Sequence, residues 1–210
     1  MAHNTDLLTS LSRVEFPTLG HFLEDGFCSL AIKAIVDAPR MVGTAATLRL
    51  PDADAVAVNR AVLALEPGQV LVIDMCGDHE HAPVGAVTIA AVQAQGAAGV
   101  VVDGAVTDRR ELNSTAGGRT PLPVFARGTT ALTTKRKNSQ EAEFGVPVTI
   151  DGVTVRPGDV VLGDGNGVVI LSPETAASVV KEAEASDDAE PAILRRIAAG
   201  EPLENILYLG

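Results

Sequence analysis

Two short apolar runs constrain this chain more than anything else in it: Gln69–Met75 (QVLVIDM) and Gly99–Asp103 (GVVVD). Neither alternates apolar and polar residues as a half-wet strand does, so both read as strands buried on two faces. Between them lie a polar loop, Cys76–Val84 (CGDHEHAPV), and a helix of small residues, Gly85–Gln95. Strand, loop, helix and strand in that order form a βαβ unit, with parallel strands and a right-handed crossover. Parallel α/β sheets place ligands beyond the C-terminal ends of their strands. The loops 76–88 and 103–109 both fall there.

The flanking segments fit around this unit. Asp6–Leu11 reads as a short helix capped by Thr5, and Pro17–Glu24 as a second that Asp25-Gly26 ends. Met41–Leu50 is a strand stopped by Pro51-Asp52, and Ala53–Leu65 has helical periodicity before the turn Glu66-Pro67-Gly68. After residue 120 the pattern becomes β-rich, with short strands at Pro123–Arg127, Val146–Ile150, Val153–Val155, Val160–Gly163 and Val168–Leu171. RPGD (156–159) and GDGNG (163–167) supply turn chemistry between them. Pro173-Glu174 opens a last helix past Lys181, which SDDAEP (186–191) interrupts before Ala192–Ala199.

The 210 residues suit a single domain, 1–210, with a core over about 15–175 and a helical extension over 173–210. Hydrophobic residues make up 46 % and aromatics only 3 %, so the core is aliphatic. A formal net charge of −11 repels phosphate backbones and argues against nucleic acid as a partner. Cys28 and Cys76 lack metal-type spacing, and two thiols without a secretory pattern suggest a reducing compartment. The start, MAHNTDLLTSLSR, has no basic stretch followed by an apolar one, and no apolar run is long enough for a bilayer. The expectation is a cytoplasmic protein with no membrane partner.

Two segments carry candidate chemistry. DGAVTDRREL (103–112) sets Asp103, Asp108, Arg109 and Arg110 at the end of a buried strand. A carboxylate beside a guanidinium can hold a metal and an anionic substrate together, although Asp108 also suits the cap of a short helix at Arg109. In CGDHEHAPVGAVT (76–88), the free amides of Gly85, Ala86, Val87 and Thr88 at a helix start could cradle a carboxylate. His79, Glu80 and His81 are candidate metal ligands or general bases, if the loop is extended enough to bring both imidazoles to one side. Lys135-Arg136-Lys137 reads as a solvated basic cluster, and Glu182 and Glu184 as surface charges. GDGNG lacks the full ligand series of a calcium loop. No Walker A, GxGxxG or GxSxG pattern is present, so nucleotide and serine-hydrolase chemistry lack support.

The order GVVVDGAVTD, PVFARG (123–128) and GVPVTIDGVTVRPGDVVLGDGNGVVILSPE (145–174) closely resembles the RraA-like family. PTLGHFLEDG and PGQVLVIDM match its pattern as well. That family includes regulators of ribonuclease activity and class II aldolases for 4-hydroxy-4-methyl-2-oxoglutarate and 4-carboxy-4-hydroxy-2-oxoadipate. The resemblance implies a compact α/β sandwich related to swivelling phosphohistidine domains, assembled as a homotrimer or hexamer with the site between subunits. It implies a divalent metal, Mg²⁺ or Mn²⁺, that holds a small carboxylate substrate and stabilises an enolate. It assigns the metal to Asp108 and substrate contacts to Gly85, Ala86, Val87, Thr88 and Thr107. Two departures stand out: Thr107 replaces the arginine that steadies pyruvate, and Ala86 replaces the acidic residue that orders a proton-carrying water. Arg109, His79 and His81 are the nearby groups that could substitute in catalysis. Glu182 or Glu184 matches the late-helix glutamate donated by a neighbouring subunit.

Three functions are therefore open. The first is a metal-dependent lyase of the aldolase or decarboxylase type, with a substrate changed from the usual one. The second is a non-catalytic regulator that binds a ribonuclease or another protein. The third is an isomerase or dehydratase using the His79-Glu80-His81 loop.

Overall fold

The computed structural model describes residues 2–37, 40–115 and 120–208. In chain order its elements are α1 (Ala2–Leu11), α2 (Phe16–Leu19), β1 (Lys33–Ala34), β2 (Met41–Arg49), α3 (Ala55–Leu63), β3 (Gln69–Asp74), α4 (Ala86–Ala94) and β4 (Gly99–Val106). There follow α5 (Arg109–Leu112), β5 (Val124–Thr129), β6 (Glu143–Phe144), β7 (Val148–Ile150), β8 (Val153–Val155), β9 (Val160–Asp164), β10 (Gly167–Leu171) and α6 (Pro173–Ala198).

One eight-stranded sheet runs β1-β5-β4-β3-β2-β9-β10, with β6 paired beside the end of β2. The strands β2 to β5 are parallel neighbours, and β1, β9 and β10 join antiparallel. The βαβ unit is present, in the register Val70↔Gly99 through Asp74↔Asp103. The sheet nearly closes, because Phe27 bridges to Val169 on β10 just before the chain enters β1 at the opposite edge.

The unbroken apolar runs are explained by burial on both sides. Leu71, Ile73, Val100 and Val102 point to one face, where Val58 and Val62 of α3 and Ile89 and Val92 of α4 cover them. Val70, Val72, Val101 and Phe125 point to the other, under the β7–β8 hairpin residues Val148, Ile150 and Val155. A third cluster packs Leu11, Leu19, Ala176 and Val180 on Val160 and Leu162. Each Val, Leu or Ile side chain among them stabilises the fold by about 1.5–3 kcal/mol on burial. No helix among the described residues is long and apolar enough to cross a membrane.

Three local expectations change. Helix α1 starts before Thr5, so Thr5 stands inside it and not at its cap. Helix α2 stops at Leu19, and His21 and Phe22 donate three residues back to Thr18 and Leu19, so turns replace the expected run to Glu24. Helix α6 is continuous through 186–191. Its Asp187 accepts from the Glu15 amide at 2.8 Å and from the Thr18 hydroxyl, while Pro191 sits on an exposed stretch where water can take the carbonyl it leaves unpaired. Asp54 is a capping residue with wider reach than its position suggests: the fully buried carboxylate accepts from Val56, Lys137, Asn138 and Ser139 amides at 2.9–3.1 Å. It thereby ties the 135–139 loop, with its basic cluster, to the start of α3. Burial raises the Asp54 pKa, but these four donors outweigh it and hold the carboxyl below its ordinary value.

Candidate functional site

The chain leaves β4 into the segment Thr107-Asp108. The Thr107 amide donates to the Val84 carbonyl at 3.1 Å, pinning this end of β4 to the loop before α4. Asp108 then adopts a left-handed backbone, φ +60, a conformation that aspartate tolerates better than most residues. The turn aims its carboxylate at the start of α4: Oδ2 accepts from the Ala86 amide at 2.8 Å, and Oδ1 lies 3.2 Å from the Thr107 hydroxyl. Gly85 makes this approach possible. A Cβ there would sit 2.5 Å from Asp108 Oδ2 and 2.6 Å from Thr107 Cγ2.

The expected carboxylate cradle is therefore half used by the protein itself. Asp108 makes no side-chain cap for α5; it caps α4 instead and complements that helix's positive end. The amides of Val87 and Thr88 lie in the first turn of α4 and have no acceptor within the helix. Val87 is strongly exposed, so this helix end faces outward. Arg109 opens α5 and is exposed; among the described residues no ion pair ties its guanidinium to a carboxylate. Arg110 is spent on Glu111.

On the hairpin side of the same strand lies a second polar cluster. Asp103, 8 % exposed, receives the Arg127 Nε on Oδ1 and the Asp151 amide, at 2.8 Å, on Oδ2. Arg127 Nη2 also reaches Asp151 Oδ1 at 2.9 Å, and Asp151 Oδ2 accepts from the Ser29 amide at 2.7 Å. Ser29 bonding and the Arg127 guanidinium, against the cost of burial, hold the Asp151 carboxyl below its ordinary range. Burial alone would lower Arg127, but Asp103 and Asp151 more than offset this and raise its pKa. Nearby Cys28 is pushed up to about 12, first by burial and then by Asp151 and Asp103, so its thiol stays protonated and inert.

The two loop histidines separate. His79 Nε2 faces Asp103 Oδ1 at 3.7 Å, while His81 Nδ1 lies 2.7 Å from Asp78 Oδ2. Asp78 Oδ1 also accepts the amides of Glu80 and His81, which curls the loop instead of extending it. Burial would raise Asp78, but those amides and the His81 imidazole lower it overall. His79, Glu80, Ala105, Arg127, Thr129 and Thr130 border a cleft of about 440 Å³. Sequence reasoning did not single out Arg127, Asp151 or Ser29. The one local signal was a lone arginine ending an apolar strand, PVFAR.

Among the described residues no group of three or more His, Cys, Asp or Glu side chains converges as a metal cage. Asp108 suits a different mode. Magnesium and manganese take one or two carboxylates and complete their shell with water and substrate oxygens. The Asp108 carboxylate is exposed, is a hard oxygen donor, and keeps lone pairs beyond its two internal bonds. The residues present fit such a cation.

Residues 20–170 match the RraA-like family, described as Aldolase/RraA. A protein of Halalkalibacterium halodurans, named as a candidate 4-hydroxy-4-methyl-2-oxoglutarate aldolase, is 34 % identical over 170 residues, covering 79 % of this chain and 78 % of its own. The 4-hydroxy-4-methyl-2-oxoglutarate aldolase of Thermus thermophilus is 32 % identical over 151 residues, covering 71 % and 86 %. Among solved structures, an uncharacterized protein from Pseudomonas syringae superposes with a TM-score of 0.80 at 27 % identity, covering 96 % of each chain. The RNA-processing inhibitor RraA from Thermus thermophilus gives 0.65 at 28 % identity, covering 76 % of this chain and 93 % of its own.

Proposed function

This chain belongs to the RraA-like family, and from that premise we propose that it is a divalent-metal-dependent carbon–carbon lyase acting on a small 2-oxo acid. The observation that carries the reading is Asp108: a left-handed turn and the Ala86 amide fix its carboxylate, exposed, at the C-terminal end of β4. Asp108 holds Mg²⁺ or Mn²⁺. A cation bound there supplies Lewis-acid stabilisation of the negative charge that develops on the substrate's oxo oxygen.

The chain's own groups bind the rest of the substrate. The Val87 and Thr88 amides meet a carboxylate at the positive end of α4, beside a Thr107 hydroxyl whose one proton is directed at Asp108 Oδ1. Thr107 offers no charge and no bidentate fork, so it cannot grip a carboxylate as arginine does. The preferred substrate therefore differs from that of the named aldolase relatives, and turnover of theirs is slow. The working form is a homotrimer or hexamer in the cytoplasm, with Glu182 or Glu184 of α6 beside a neighbouring site.

The test is to incubate the purified protein with Mg²⁺ or Mn²⁺ and a panel of 4-hydroxy-2-oxo acids and oxaloacetate, following pyruvate release. Metal-dependent release that Asp108→Ala removes supports the reading. No release with any metal overturns it.

A further inference from the structure

Resting on the lyase reading, we infer that His79 is the proton-transferring group of this site and that Asp103, clamped by Arg127 and the Asp151 amide, positions it.

The geometry comes from four separate segments. His79 borders the cleft beside β4 with its side chain 46 % exposed, so a ligand can reach it. Its Nε2 faces a carboxylate that cannot turn away: Arg127 holds one Asp103 oxygen and the Asp151 amide the other. At 3.7 Å the His79–Asp103 contact is longer than a hydrogen bond, and such contacts in ligand-free sites commonly tighten when substrate binds. A carboxylate that accepts from Nε2–H leaves Nδ1 unprotonated and available as a base. The neighbouring groups are otherwise engaged. His81 is paired with Asp78, Arg127 with Asp103 and Asp151, and Glu80 is exposed and makes no ion pair among the described residues.

The cleft and Asp108 share the C-terminal end of β4. Ala105 borders the same cleft and lies three residues before Asp108, so their Cα atoms are at most about 11 Å apart. The side chain beside Asp108 on α4 is the methyl group of Ala86, which can move no proton, so the proton must travel through another group.

The step balances with no further reactant. His79 Nδ1 takes the proton from the substrate's hydroxyl, the carbon–carbon bond breaks, and the hydroxyl-bearing carbon becomes a carbonyl. The bonding pair stays with the 2-oxo fragment as its enolate. The imidazolium then returns the proton to that fragment's terminal carbon, giving the methyl group of the 2-oxo acid product.

The experiment uses the full chain with Mn²⁺ and the best substrate of the panel. His79→Ala lowers kcat by roughly 10²–10⁴-fold, leaves KM within a few-fold, and regains activity with added imidazole. Asp103→Asn lowers kcat in the wild-type background and adds nothing to His79→Ala. Nitrogen NMR of the metal-free protein finds His79 as the Nε2–H tautomer, a readout independent of turnover. If Asp103→Asn does not fold, imidazole rescue and the tautomer decide. An active wild type whose His79→Ala variant is equally active, or is inactive and not rescued, or an Nδ1–H tautomer, overturns this inference and leaves the lyase reading standing. An inactive wild type instead overturns the lyase reading.

Discussion

The two sides of the end of β4 are built in opposite ways. On the helix side, Gly85, Ala86, Thr107 and Asp108 come from two adjoining stretches of one βαβ unit, and the key contact is a single amide–carboxylate bond. On the hairpin side, Ser29, Asp103, Arg127 and Asp151 come from four distant segments and form a closed charge network. The first side is exposed and only lightly tied; the second is largely buried and over-determined. On the proposed reading a ligand anchor can be lost from the first side without unfolding the protein, whereas the network on the second is part of the structure itself.

Substitutions can separate these roles. Asp108→Ala should produce the largest change, a loss of pyruvate release on the order of 10³-fold, as several kcal/mol of charge stabilisation disappear. Its melting temperature should barely move, and a collapse of the fold would break the contrast. Arg127→Met should act mainly on stability, by about 3 kcal/mol in urea unfolding, because it leaves Asp103 and Asp151 partly buried without their cation. An unchanged midpoint would mean the hairpin clamp holds without it. Gly85→Ala should cost about 1–3 kcal/mol by overpacking and also weaken Mn²⁺ binding, since the new methyl group displaces the Asp108 carboxylate. Titration by electron paramagnetic resonance reads the second effect directly.

Acid should distinguish the sides as well. The Asp151 carboxyl is held below its ordinary 3.8 in the folded protein. An unfolded chain therefore binds that proton more readily, and the stabilisation is complete above 3.8 and lost as pH falls toward the folded value. Asp151→Asn should flatten the acid limb of stability against pH, and an unaltered limb would remove Asp151 as its source. At the far end of the scale, Leu194→Ser on the exposed part of α6 should shift stability by no more than about 0.5 kcal/mol.

The same division governs what the sequence revealed. The strands β3 and β4 and the helix between them were readable because their apolar runs are local signals of burial on two faces. Asp108 and Gly85–Thr88 were placed correctly at the end of the sheet for the same reason. The bond from Asp108 back to Ala86 was not, because it depends on a left-handed turn that no composition rule demands of aspartate. Arg127 and Asp151 were missed because their meaning is non-local: residue 127 meets 103 across a strand pair and 151 across a hairpin. The helix break expected at 186–191 failed for a related reason. The polar segment SDDAEP looked like an interruption, yet the carboxylate of its Asp187 serves Glu15 and Thr18, far away in the chain.

Continuous α6 divides the molecule's cooperativity. Its first half is locked into the third core through Ala176, Val179, Val180 and Ala183, while every residue from Asp188 to Gly200 is exposed. That distal stretch of helix, about 16 Å long at 1.5 Å per residue over 188–198, buries none of its side chains; near its end Arg196 pairs with Glu201 and donates to the Asn205 carbonyl. Its amides should exchange with deuterium through local fraying, while those before Ala183 wait for global opening. One unbroken helix thus belongs to two foldons, with the boundary near Asp187, where the last long-range hydrogen bonds to it are made.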